Sequence, residues 1–339
     1  MLILFFFYVT NCGNTLNIMK KRPLIVFPDA DLAEAGSYDH LFKRLENVAD
    51  FQIFSGEPSS EEEFMQRVEG ATGVLLGWDF PSAVMRKANS LEVISFSGIG
   101  VSKFVDMEQA LERNITVCNC PGYADITVAE HTMGLLLSTT RHIGLLDRKL
   151  RSGLWDQSRE GIELNGKTIG LIGFGGIARH FAKLCQAFGM TVKVWTRSMD
   201  PEYEREYGIK LCTLDDLLGG SDIISLHLAS NSQTQNIIDK SAFSRMRDGV
   251  IFLNTARAEL VDETVMIDAL QSGKISMAGL DVFHAEPLPA SNPLLTMDNV
   301  IITPHIAYNT PDATHRLFEM AVENLQSFFA GNPINVVTC

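Results

Sequence analysis

Three polar stretches in the second half of the chain hold the residue types that acid–base chemistry on a carbonyl needs. "LNTARAELVDE" holds Arg257, "GLDVFHAEPLP" holds Asp281 and Glu286, and "ITPHIA" holds His305. Moving a hydride onto a carbonyl carbon leaves charge on its oxygen, which then needs a proton. Histidine changes charge near neutral pH and can give and retake that proton. A carboxylate beside it fixes the ring, and an arginine fork can grip a substrate carboxylate while polarising the carbonyl. Reduction of a 2-oxo acid uses all three groups. His284, two residues before Glu286, competes for the role of the acid. Taken singly, Arg257 also reads as a surface residue, Glu286 as a loop acid before Pro287 and His305 as a core histidine.

Such chemistry requires a hydride carrier, and a second pattern supplies its site. "GKTIGLIGFGGIARHFA" contains G-x-G-x-x-A at Gly173, Gly175 and Ala178. The first glycine permits a tight turn, the second lets a pyrophosphate approach the backbone, and the small third residue lets a helix pack on its strand. The helix start then offers free N–H groups and the positive end of its dipole. The motif follows an apolar run, opens a helical stretch and meets a second apolar run at the expected distance, which is the context a dinucleotide site demands. That second run ends in "KVWTRS". A carboxylate at this strand end would bind both ribose hydroxyls of NAD and repel the extra phosphate of NADP. Thr196 stands there instead, Arg197 can pair with a phosphate, and Ser198 can donate once more. The pattern favours NADP over NAD.

The elements that must position these residues are legible as alternation. "PLIVFPD", "FQIFS", "GVLLG", "LEVISFSG" and "ITVCN" read as strands, separated by helical stretches that include 38–48, "SSEEEFMQRVEG", "PSAVMRKA" and "DMEQALERN". After "PGY" a long helix is expected over Thr127–Leu150, with a wide apolar face. A second series of strands follows: "KTIGLIGFG", "TVKVWT", "DIISLHL", "VIFLNT", "MAGLDVF" and "VIITPHI". A closing helix is expected in "PDATHRLFEMAVENLQSFFAG". Short apolar runs alternating with helices predict parallel sheets covered on both faces, here as two doubly wound α/β domains. The three polar stretches then fall at carboxyl ends of strands, where open α/β sheets bind ligands.

Bulk composition narrows the classes. The chain has 339 residues, 46% hydrophobic and 20% charged, with a net charge of −13. So acidic a chain has no general attraction for phosphate backbones or anionic lipid, which argues against nucleic acid and membrane partners. Six cysteines are scattered without a C-x-x-C pair, so reduced thiols in a cytoplasmic protein and no metal site are expected. The opening "MLILFFFYVT" is about half a membrane span in length. It reads as a leader or a misassigned start, with Met19 as the natural beginning.

With these blocks in order, the sequence resembles the D-isomer-specific 2-hydroxyacid dehydrogenases from about Pro23 to Val337. The resemblance is carried by "NCPGYADITVAEHTMGLLL", "ELNGKTIGLIGFGGIA", "MRDGVIFLNTARAELVDE", "AGLDVFHAEPL" and "NVIITPH". It implies a Rossmann cofactor domain (123–306) inserted in a flavodoxin-like substrate domain (19–122, with a returning helix in 307–339), and a homodimer joined through the cofactor domains. By position it implies Arg257 on the substrate, His305 as acid–base paired with Glu286, and Asp281 beside the nicotinamide carboxamide. Gly173, Gly175, Gly176, Ile177, Thr196, Arg197, Ser198 and Thr255 would line the cofactor. "FSGIGVSKFVD" matches a loop whose backbone N–H groups, at Ile99 and Gly100, would grip the substrate carboxylate. Ala258, Gly176, Ala229, Ser102 and Lys103 depart from the usual pattern, and they bear on substrate identity more than on reaction type. Glyoxylate or hydroxypyruvate is the expected kind of substrate. Alternatives are a D-3-phosphoglycerate dehydrogenase and a non-catalytic dinucleotide-sensing module.

Overall fold

The computed structural model describes residues 22–31 and 35–337, so the apolar opening segment and Met19 lie outside the described residues. The chain divides into two compact units. One runs to Cys120 and resumes at Ala321; the other spans Pro121–Met320.

The first unit is a five-stranded sheet in the order β2-β1-β3-β4-β5, formed by Leu24–Ala30 (β1), Asp50–Ser55 (β2), Gly73–Leu76 (β3), Val93–Phe96 (β4) and Thr116–Cys118 (β5). Every pairing is parallel. β3 and β4 are buried at every position, as continuous apolar runs in the middle of a parallel sheet must be. β2 is an edge strand and is largely exposed. The chain returns to this unit through a buried polar staple. Asn324, wholly buried, donates to the Asn119 carbonyl at 2.9 Å and to Ser95 Oγ at 3.3 Å, while Ser95 Oγ donates to the Ala321 carbonyl at 3.0 Å.

The second unit is a seven-stranded parallel sheet in the order β12-β11-β10-β9-β6-β7-β8. Its strands are Thr168–Ile172 (β6), Thr191–Trp195 (β7), Lys210–Leu211 (β8), Ile223–Leu226 (β9), Val250–Asn254 (β10), Ile275–Leu280 (β11) and Val300–Ile302 (β12). The order reverses at β6, which is the topological switch where such sheets bind ligands. The two sheets have the doubly wound, flavodoxin-like and Rossmann-type orders.

Two helices differ from expectation. The stretch over 127–150 forms as two helices, Asp125–Thr140 and Ile143–Arg151, with His142 between them at φ +54°. The Ile162 N–H donates to the Thr140 carbonyl at 2.8 Å, so the acceptor that would extend the first helix is already used. Thr140 Oγ1 also bonds back to the Leu136 carbonyl at 2.8 Å, which competes with helix continuation. The stretch over 38–48 forms a short α-helix, Asp39–Phe42, between 3-10 turns at Gly36–Tyr38 and Lys43–Asn47. β8, only two residues long, has no signature of its own in the sequence.

Cys118, Cys120, Cys185 and Cys212 are free thiols. Burial pushes Cys118 up to about 11 and Cys120 up to about 12, so both stay as unreactive thiols at neutral pH. Among the described residues no helix is long and apolar enough to cross a membrane.

Candidate active site

Strand order brings the polar stretches of the second half to one edge. β10, β11 and β12 are neighbours; Asn254 ends β10, and Thr255–Arg257, Asp281 and His305 follow the three carboxyl ends. His305 Nδ1 lies 2.7 Å from Glu286 Oε2. Glu286 is itself held, because its Oε1 accepts from the Phe283 N–H at 2.9 Å. Both side chains keep more than a third of their surface exposed, 39% and 37%. With one ring nitrogen on the carboxylate, Nε2 is left to face a ligand. His284, the competing acid, instead has its Nε2 3.0 Å from the Val261 carbonyl.

The loop that carries His305 is pinned on both sides. His305 adopts a left-handed backbone, φ +51°, which costs about 1 kcal/mol or more and persists only where the surroundings impose it. Asp281 imposes it. Asp281 Oδ1 accepts from Thr303 Oγ1 at 2.6 Å and from the Ile306 N–H at 3.0 Å, and Oδ2 accepts from the Ala307 N–H at 2.9 Å. Asp281, expected beside the nicotinamide, is wholly buried, and its carboxylate is taken up by the His305 loop. His131 Nε2 lies 3.0 Å from Thr303 Oγ1 and 3.7 Å from Asp281 Oδ1, completing the network.

Arg257 is half-buried and extended, with φ −148°. Its Nη1 donates to the Ala256 carbonyl at 2.6 Å, which leaves the rest of the fork for a carboxylate. Asn254 shapes this turn: its Nδ2 donates to the Arg257 carbonyl at 2.9 Å and its Oδ1 accepts from the Ala256 N–H at 3.0 Å. Thr255, expected on the cofactor, is 7% exposed and shares a hydrogen bond with Thr132 Oγ1 at 2.8 Å. Sequence reasoning missed Asn254, Thr303 and His131 as parts of the site. Only Asn254 had a local signal, an asparagine two residues before a turn N–H.

The glycine-rich turn follows β6, at the switch point. Gly173 has φ +99°, and a side chain there would run into the His227 carbonyl, so glycine is required on both counts. Its N–H donates to the Trp195 carbonyl at 2.8 Å, tying the turn to the end of β7. Gly175 precedes the Gly176–Ala187 helix without any side-chain cap, unlike the Glu61–Arg67, Met107–Glu112, Leu214–Gly220 and Glu263–Gln271 helices, whose starts are capped by Ser60, Asp106, Thr213 and Asp262. A Cβ on Gly175 would meet nothing within 4 Å. The turn therefore has open space above an uncapped helix terminus, with the N–H groups of Gly176 and Ile177 at its head, and that fits a pyrophosphate.

Past β7, Thr196 is half-buried while Arg197 and Ser198 are exposed. Arg197 Nη1 donates to Gln233 Oε1 at 3.4 Å, a bond that joins the loops after β7 and β9 on either side of β6. The three residues that follow the strand, Thr196, Arg197 and Ser198, include no carboxylate. In the first unit, Ile99 is 42% exposed and Gly100 follows it beyond β4. Asn119 Nδ2 donates to the Ile99 carbonyl at 2.9 Å and holds this loop, whose Ile99 and Gly100 N–H groups meet no acceptor among the described residues.

Comparison with known proteins agrees with this geometry. Residues 133–307, more than half of the chain, match the D-isomer specific 2-hydroxyacid dehydrogenase, NAD binding domain. The chain is 34% identical to a hydroxypyruvate reductase of Blautia hydrogenotrophica over 92% of this chain and 99% of that protein. It is 38% identical to a D-3-phosphoglycerate dehydrogenase of Archaeoglobus fulgidus over 74% of this chain, and spans 48% of that longer relative. Among solved structures, an acyclic imino acid reductase in complex with NADPH and D-Arg superposes with a TM-score of 0.81 at 28% identity, covering 93% of this chain and 100% of the other. A dinucleotide turn at the switch point, a histidine–carboxylate pair on the same sheet edge and these likenesses agree: the chain belongs to the D-isomer specific 2-hydroxyacid dehydrogenase family.

Proposed function

We propose that this chain is an NAD(P)-dependent dehydrogenase that reduces a small 2-oxo acid to the D-2-hydroxy acid, with NADPH as the preferred donor. The observation that carries the reading is the His305–Glu286 pair at 2.7 Å, on the sheet edge that also bears the glycine turn. The bound nicotinamide would supply the hydride. Arg257 holds the substrate carboxylate and draws charge toward the carbonyl oxygen. Nε2 of His305 gives its proton to that oxygen, so that C=O becomes CH–OH, and the ring regains a proton from solvent. Glu286 holds the ring by Nδ1 throughout and stabilises its charged form. Asp281 acts through the loop, by fixing the backbone on both sides of His305. Ile99 and Gly100, in the first unit, carry N–H groups suited to a carboxylate.

NADP preference is supported by Thr196 in place of a carboxylate and by the exposed Arg197 and Ser198 beside it. A short, uncharged 2-oxo acid of the glyoxylate or hydroxypyruvate kind is supported by the likeness to a hydroxypyruvate reductase over nearly the whole of both chains. Homodimer assembly through the second unit is supported by Leu150, Leu154 and Trp155, 57%, 53% and 75% exposed in one short stretch. The test is nicotinamide oxidation followed by absorbance, with NADPH and NADH, against glyoxylate, hydroxypyruvate, pyruvate and longer 2-oxo acids. The reading expects turnover, with the higher kcat/KM for NADPH. Phosphohydroxypyruvate as the only substrate turned over would transfer the assignment to the phosphoglycerate reaction, and dinucleotide binding without any turnover would favour a sensing module.

A further inference from the structure

Gly176 is the first residue of the helix that opens at the glycine turn, and its neighbour is unusual. A Cβ built on Gly176 would overlap the Asp125 carboxylate, so the space a side chain would fill is already held by an anion. Asp125 begins the Asp125–Thr140 helix, which packs along the Gly176–Ala187 helix. Its carboxylate is half-buried and accepts no hydrogen bond among the described residues. Burial raises it above the ordinary carboxylate range, and the charges of His180 and Arg179 only partly offset that.

The charges around Asp125 are easily named. Arg179 and His180 lie on the Gly176–Ala187 helix. Arg179 is drawn away by three rings, standing 5.8 Å from Phe174, 5.1 Å from Tyr203 and 5.4 Å from Tyr207, and its Nη2 donates to Tyr203 Oη at 3.2 Å. Arg316, from the Pro311–Phe329 helix, spends its Nε on the Tyr123 carbonyl at 2.8 Å and its Nη2 on Thr127 Oγ1 at 3.3 Å. Among the described residues no cation is hydrogen-bonded to Asp125, and His180 and Arg179 act on it by charge alone. A carboxylate that accepts no hydrogen bond among the described residues and touches the first residue of an uncapped helix takes the favourable potential that a diphosphate would otherwise use.

We propose that Asp125 is a built-in anionic competitor at the dinucleotide turn: it weakens cofactor binding while ionised, and binding of the cofactor draws a proton onto it. The inference rests on the dinucleotide reading above. Gly176 is then explained as the residue that admits the carboxylate to this position.

The test is the dissociation constant of NADH, which carries no 2′-phosphate to titrate, measured by fluorescence from pH 5 to 8.5. A like charge within a few ångströms shifts a carboxyl by about one unit or more, which by linkage is about tenfold in affinity. The wild-type protein is expected to bind NADH about tenfold more weakly at the alkaline end. Asp125→Asn is expected to bind tightly and with little pH dependence. His180→Gln is expected to keep the wild-type slope, which separates Asp125 from the neighbouring histidine. Calorimetry of the wild type in buffers of different ionisation enthalpy should show proton uptake on binding, a readout that needs no variant to fold. Equal NADH affinity of the wild type and Asp125→Asn at pH 8, or binding without proton uptake, overturns the proposal and leaves the dinucleotide reading standing. Failure of every form to bind NADH or NADPH contradicts both.

Discussion

Glu286 accepts from His305 Nδ1 on one carboxylate oxygen, at 2.7 Å, and from the Phe283 N–H on the other, at 2.9 Å. The carboxylate is thus fixed by its own turn before it fixes the histidine. Glu286→Gln keeps the shape but removes the charge that stabilises the ring as it holds the proton. Steady-state kinetics are expected to show kcat lower by about a hundredfold or more, with the KM for the dinucleotide unchanged. Glu286→Asp, which keeps the charge, should retain more of kcat.

Arg257 leaves most of its fork unused after one bond to the Ala256 carbonyl. Arg257→Lys preserves charge but not the paired geometry. Losing a charge-assisted bond of about 2–3 kcal/mol corresponds to a loss in kcat/KM of about 30-fold to 160-fold. The loss should fall on the 2-oxo acid and not on cofactor affinity, which separate titrations will show.

Arg197 is the cation proposed to read the 2′-phosphate. Arg197→Glu is expected to reverse the coenzyme preference, with kcat/KM for NADPH falling by about tenfold or more and that for NADH nearly constant. Equal losses with both coenzymes would make Arg197 a general surface charge.

His227 links the dinucleotide turn to acid stability. It is half-buried, with Nε2 2.9 Å from the Oγ of the buried Ser225, and desolvation of the ring pushes its pKa down to about 3. In the unfolded chain it titrates near the ordinary value of about 6.5. Between these values the unfolded state binds the extra proton, so stability is full above about pH 6.5 and is lost as pH falls toward 3. The slope for one such group is about 1.4 kcal/mol per pH unit. Urea melts at stepped pH should show this component in the wild type and lack it in His227→Gln.

Much of this was legible in the chain because the signals are local. Period and length mark "VIFLNT" and "VIITPHI" as strands, and fixed spacing marks the glycine turn. Parallel order then brings Arg257 and His305 to one edge whatever the loops do. What stayed hidden depends on distant partners. Nothing near Thr140 announces that Ile162 will take its carbonyl and end the helix. The resemblance sets Asp281 beside the nicotinamide, but no local signal announces that its carboxylate also pins a loop 22 to 26 residues on. Asp125 lies 51 positions before Gly176, and only the packing of their two helices brings them together.

The central claim is direct hydride transfer to a 2-oxo acid, with protonation by His305. The most direct measurement uses NADPH deuterated at nicotinamide C4, on the transferring face, with hydroxypyruvate as substrate, and analyses the product by mass spectrometry and chiral chromatography. The account predicts D-glycerate carrying one deuterium at C2, formed by the wild type and slowed by about a thousandfold in His305→Gln although that variant still binds NADPH. Unlabelled glycerate, the L enantiomer, or undiminished turnover in His305→Gln would contradict it.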